Sequence, residues 1–90
     1  MLDVATQPHT AVTNMNELNY RNIVGEKVRA LRRSAGLSQE SLAQRCGIFR
    51  TYLSRIESGA ANPSLVVLVT LAAALEVEPH VLLIMGPSPS

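Results

Sequence analysis

Tryptophan is missing from this 90-residue chain, which carries one phenylalanine, two tyrosines and one cysteine. With so few rings, the core has to be assembled from Leu, Val, Ile and Ala, a composition that favours packed helices. The lone Cys46 excludes an internal disulfide and any multi-cysteine metal cluster, and it falls where a helix would turn inward, compatible with a reducing cytoplasm. Long apolar runs are lacking too. The richest stretch, Leu65 to Met85, is interrupted by Glu76, Glu78, Pro79 and His80 and falls short of the roughly 20 apolar residues that span a bilayer. No basic segment leads into an apolar run near the N terminus, so no secretory signal is expected. These absences describe a soluble, cytoplasmic protein with no membrane partner.

Catalytic groups are equally sparse. His9 stands in a breaker-containing N-terminal stretch, His80 near the other end and Cys46 at a core position, so no nucleophile, base and metal-ligand set converges. The expectation is a protein that is not an enzyme, with no cofactor, no metal and no catalytic residue.

Net charge is only +1, but its distribution is uneven. All eight Lys and Arg lie between Arg21 and Arg55, in company with only Glu26 and Glu40, while the flanking segments are acidic. Such a block either forms a basic face for a polyanion or solvates helix surfaces.

Residues 1–18 lack sustained periodicity and 86–90 read Gly-Pro-Ser-Pro-Ser, so 1–20 and 86–90 are expected to be flexible tails around a domain at 21–85. Val24, Val28, Leu31 and Ala35 recur at helical spacing, predicting a first helix from about Asn22 to Ala35, ended by Gly36. Ser38 caps a second, Gln39 to Cys46, with Leu42, Ala43 and Cys46 inward; Gly47 closes it and Ile48 plugs the core. A third helix, Arg50 to Ser58, buries Leu53 and Ile56 and leaves Arg50, Thr51, Ser54, Arg55 and Ser58 on one outward face. Asn62-Pro63-Ser64 supplies a cap and a first-turn proline for a fourth helix, about Ser64 to Leu75, and Pro79 opens a fifth that stops before Gly86. Five short helices without strand-like alternation predict an all-α domain in which two of them, joined by Gly47-Ile48-Phe49, have helix-turn-helix geometry.

The run Val24-Gly25, Val28-Arg29, Leu31-Arg32, Gly36-Leu37-Ser38-Gln39-Glu40-Ser41-Leu42-Ala43, then Gly47-Ile48, Arg50-Thr51-Tyr52-Leu53-Ser54-Arg55-Ile56-Glu57-Ser58-Gly59 and Asn62-Pro63-Ser64-Leu65 resembles the Xre family of phage repressor and Cro-like transcriptional regulators over about residues 22–85. Arg50-Thr51-Tyr52-Leu53-Ser54 is similar to restriction-modification controller proteins, and other members share it. The resemblance implies a compact five-helix bundle of the phage repressor DNA-binding type, whose third helix enters the major groove of a double-stranded operator. Arg50 and Arg55 are then the first candidates for base contacts, because Arg donates two hydrogen bonds to guanine O6 and N7; Thr51 matches a further base-contact position. Gln39 matches a phosphate-binding position at the start of the second helix, and Tyr52 and Ser54 are further phosphate candidates, although Tyr52 can instead pack on that helix. Arg45 reads as a general surface cation. Arg32 and Glu57 match a structural ion pair tying the first helix to the end of the third.

Three positions depart from that pattern. Phe49 stands where a Ser or Thr usually caps the recognition helix, so its ring must pack, touch DNA or face solvent. The loop Gly59-Ala60-Ala61 lacks the usual basic residues, which implies fewer phosphate contacts and weaker salt dependence. Glu78 replaces a small hydroxyl cap.

One recognition helix reads only a few base pairs, so a homodimer on a palindromic site is expected. Its interface would come from the fourth and fifth helices. Leu65, Leu68, Leu71, Ala72 and Leu75 are assigned to the core, which leaves Val66, Val67 and Val69 with Leu83, Ile84 and Met85 seeking a partner. The alternatives for that surface are cover by the tails, or a protein partner, as in an antitoxin-like or adaptor module.

Overall fold

The protein is described by a computed structural model over residues 10–85, with side chains from residue 19 onward. Four α-helices and one short 3₁₀ helix, with no strand, make up the described residues: α1 (Thr10–Ser34), α2 (Gln39–Cys46), α3 (Arg50–Glu57), α4 (Leu65–Ala74) and a 3₁₀ helix over Pro79–Leu83. The all-α expectation therefore stands in its coarse form, but the fifth helix is a single 3₁₀ element. It follows Glu78, which offers no side-chain cap bond, and covers only five residues, a length at which the tighter helix competes well.

Helix α1 starts at Thr10, well before the expected Asn22. Apolar periodicity sustained over several turns begins only near Val24. Yet no proline or glycine intervenes between Pro8 and Gly25, so nothing stops a helix nucleated on the core from propagating backwards. Residues 1–9 and 86–90, the outer parts of the expected tails, lie outside the described residues.

Val24 and Val28 of α1, Leu42 and Ala43 of α2, Leu53 and Ile56 of α3, Leu71, Ala72 and Leu75 at the end of α4, Ala61 and Leu82 form one buried cluster. Helix α1 packs against α3 and the 3₁₀ helix, α2 against α3 and α4, and α4 against the 3₁₀ helix. The close seating of α1 on α3 depends on Gly25: a Cβ there would collide with the backbone carbonyls of Ile56 and Glu57.

Two expected core residues lie outside. Ala35 is exposed because α1 ends at Ser34 and the chain turns through Gly36, bringing Leu37 back against the core instead. Leu65 is 74% exposed; its spacing places it on the buried stripe, but burial requires a neighbour at that first turn and none reaches it. The cap of α4 also differs from the expected Asn62-Pro63 start: the Ser64 side chain accepts a hydrogen bond from the Val67 amide at 3.2 Å.

Candidate nucleic-acid interface

The two helices of the motif are set by their caps. The Ser38 hydroxyl accepts from the Ser41 amide at 3.0 Å and starts α2; Gly47, at φ 68°, ends it, with the following Ile48 amide reaching back to the Ala43 carbonyl at 3.0 Å. That left-handed residue lets the chain reverse within three residues and begin α3 at Arg50. Ile48 packs against the core and pins the turn. The docking of Leu53 and Ile56 then decides what α3 displays: Arg50, Thr51 and Arg55 are exposed, while Ser54 and Tyr52 are half-buried, Tyr52 against the core cluster.

The expected ion-pair partners are joined at the base of the motif. Arg32 Nε donates to Glu57 Oε2 at 2.6 Å and Nη2 donates to Oε1 at 3.0 Å, a bidentate pair, while Nη1 donates to the Leu37 carbonyl at 2.9 Å. Burial disfavours an ionised Glu57, but hydrogen bonds from Arg32 and Gln39 and the charges of Arg32 and Arg29 outweigh it and hold the carboxyl below its ordinary range. The bonded carboxylate in turn raises Arg32, against the opposing effect of burial. Both groups are therefore ionised, and the pair locks the end of α1 and the α1–α2 turn to the end of α3.

Gln39 links this lock to the exposed face. Its Nε2 donates to Glu57 Oε1 at 3.0 Å, and its Oε1 accepts from Arg50 Nη1 at 3.4 Å. Arg55 Nη2 donates to the Ala60 carbonyl at 3.2 Å; a guanidinium has five N–H donors, so this bond leaves several available. Arg29 belongs to the run that carries the resemblance but was given no site role from sequence: its Nε lies 3.6 Å from Glu57 Oε1, with the side chain partly exposed beside the motif. The signal was present, since Arg29 and Arg32 are three apart and share a helical face. Phe49 occupies the N-cap of α3 without a capping bond and is 83% exposed, so of its three expected fates, packing on the domain is not the one adopted.

On α4, the 3₁₀ helix and the two residues after it, the expected partner-seeking residues divide. Val66, Val69, Leu83 and Met85 are exposed, whereas Val67 and Ile84 are half-buried, Val67 against the core. Cys46, half-buried, directs its Sγ to the Thr70 carbonyl at 3.9 Å, and burial pushes its thiol up, away from reactive thiolate character. Among the described residues no three His, Cys, Asp or Glu side chains are placed to hold a metal ion, and no helix is long and apolar enough to cross a membrane. A groove of about 120 Å³ between α1 and α4, lined by Tyr20, Val24, Pro63, Leu68 and Leu83, is small for an organic ligand.

This geometry can be set beside known proteins. The control protein C.BamHI of Bacillus amyloliquefaciens is 46% identical over 66 residues, covering 72% of this chain and 82% of that protein. The crystal structure of the restriction-modification controller protein C.AhdI from Aeromonas hydrophila superposes with a TM-score of 0.67 at 44% identity, over 69% of this chain and 94% of that one. SinR, a master regulator for biofilm formation solved in complex with DNA, gives 0.65 at 35% identity, over 68% and 98%. The helix-turn-helix domain family matches residues 23–83, a span that holds the whole α2–turn–α3 unit and the Arg32–Glu57 pair at its base, and the chain belongs to that family of transcriptional regulators.

Proposed function

We propose that the chain is a sequence-specific reader of double-stranded DNA that binds a palindromic operator as a homodimer and acts there as a repressor or autoregulator. The observation that carries this reading is the split of α3: Leu53 and Ile56 are buried while Arg50, Thr51 and Arg55 stand exposed on the same eight-residue helix. Inserted in the major groove, Arg50 and Arg55 present paired donors to guanine, and Thr51 meets a base edge or a thymine methyl. Gln39, Ser54 and Tyr52 flank them and supply phosphate contacts that fix the register of the helix without reading sequence. The Arg32–Glu57 pair makes no DNA contact in this scheme; it holds α3 against α1.

Val66, Val69, Leu83 and Met85 form the centre of the homodimer interface, with Val67 and Ile84 behind them. Two such recognition helices read half-sites about one helical turn apart. The exposed apolar residues also favour a second reading, in which this face binds a different protein and DNA binding is autoregulatory. The controller proteins among the relatives support a role in a restriction-modification system, where the chain would govern transcription of its own operon.

The test is selection of bound duplexes from a random library by the full chain and by Arg50→Ala/Arg55→Ala, at two salt concentrations. A palindromic motif recovered by the wild type and lost in the variant is expected. Absence of any enriched motif, with weak binding at both salts, rejects the reading.

A further inference from the structure

From the geometry we infer that Phe49 is a specificity-determining residue of the DNA interface, its ring packing on the C5-methyl of a thymine beside the base that Arg50 reads. This rests on the DNA-reading role proposed above. Three α-helices of the structure begin at a described cap, and two of them use a serine whose hydroxyl accepts an amide hydrogen bond: Ser38 for α2 and Ser64 for α4. At α3 the cap is a phenylalanine that makes no such bond. Its exposure, 83%, exceeds that of every other large apolar side chain among the described residues.

The ring is not left over from the core. Ile48, one residue earlier, packs into the hydrophobic cluster, and Leu53, four later, is wholly buried, so the turn has its apolar anchors without Phe49. What the ring adjoins is the polar face: Arg50 and Thr51 follow it and are exposed with it. An apolar residue at the leading end of a groove-entering helix has a narrow choice of contacts. A phenyl ring neither donates nor accepts, and the one apolar group a standard base pair presents in the major groove is the thymine methyl. Giving up a cap bond for a solvent-exposed ring is accounted for when the ring is desolvated on that methyl. Burying one methyl-sized group corresponds to about fourfold in affinity per half-site, or about fifteenfold for a symmetric pair.

The experiment measures binding of the full chain and of Phe49→Ser to the duplex recovered from the library, with each thymine replaced in turn, symmetrically in both half-sites, by uracil, which lacks only the methyl. Melting curves of both proteins confirm that the serine variant is folded. One thymine, adjacent to the position whose preference Arg50→Ala abolishes, is expected to show about fifteenfold weaker wild-type binding as uracil, while Phe49→Ser binds the two duplexes equally. Wild-type indifference to uracil at every position overturns the inference, as does a Phe49→Ser variant that keeps the wild-type penalty at every uracil-sensitive position. If the wild type enriches no duplex, the DNA-reading role itself fails and takes this inference with it, an outcome distinct from sequence-specific binding that ignores the methyl.

Discussion

Helices α3 and α4 both contribute to one core, yet they meet solvent in opposite ways. The eight residues of α3 bury Leu53, Ile56 and Glu57 and expose Arg50, Thr51 and Arg55. The ten residues of α4 include a single hydroxyl and no charge, and what they leave outside is Leu65, Val66, Val69 and Ala73. The first surface is polar and cationic; the second is stable in water only at a hydrophobic cost until something covers it. Folding is also secured differently on the two sides. Around α3 a buried ion pair, a glutamine and a glycine contact set the geometry, whereas α4 is held by apolar packing and one serine cap.

The largest expected effect breaks the first side. Replacing Glu57 by Ala strands Arg32 in a nearly solvent-free site and should destabilise the domain by about 3–5 kcal/mol, while Arg32→Met/Glu57→Leu should cost far less, as read by thermal unfolding. The same lock predicts acid sensitivity. Because the folded Glu57 titrates below its unfolded value of about 4.3, its contribution is present above that pH and is lost as pH falls through the lower folded value. A melting profile that is flat across that acid window would show that the pair contributes nothing to stability.

Changing the α4 side should alter assembly and leave folding intact. Val66→Asp/Val69→Asp is expected to shift sedimentation to the monomer and weaken operator binding by about a hundredfold or more, through loss of bivalency, with little change in melting temperature. If the variant instead melts as early as Glu57→Ala, the face belongs to the folding core and the contrast between the two helices collapses.

Gly25→Ala sharpens the first side further. In an open helix this change stabilises by up to about 1 kcal/mol, but here the new Cβ meets the carbonyls of Ile56 and Glu57, so a loss of about 1–3 kcal/mol is expected in denaturant titration. Smallest is Phe49→Ser, which supplies the missing cap of α3 and should raise stability by about 0.5–1 kcal/mol. A loss of stability would mean that the exposed ring supports the turn.

The middle of the molecule was legible in the residues. Ser38, Gly47 and the spacing of Leu42, Leu53 and Ile56 predict α2 and α3 closely, because caps, left-handed glycine and amphipathic period all point the same way. The outward placement of Arg50, Thr51 and Arg55 follows from that period alone. Helix α4 was less legible: with valine, leucine and alanine on every face, period cannot separate inside from outside, and Leu65 was assigned to the core that it does not enter. The start of α1 was missed for a different reason: Ala11, Met15 and Leu18 recur at helical spacing in its early turns, but among Thr and Asn residues of low helix propensity and without continuing through Asn22.

By itself, the sequence determined the all-helical class, the α2–turn–α3 unit and the chemistry displayed on α3, since these depend on neighbours within about one helical turn. Only the tertiary structure decided that Gly25 is a contact point between helices, that Gln39 joins Arg50 to the Glu57 lock, that Arg29 attends the same carboxylate and which apolar side chains of α4 stay outside. Those outcomes are set by which distant segments come together, and no local period or propensity encodes that distance.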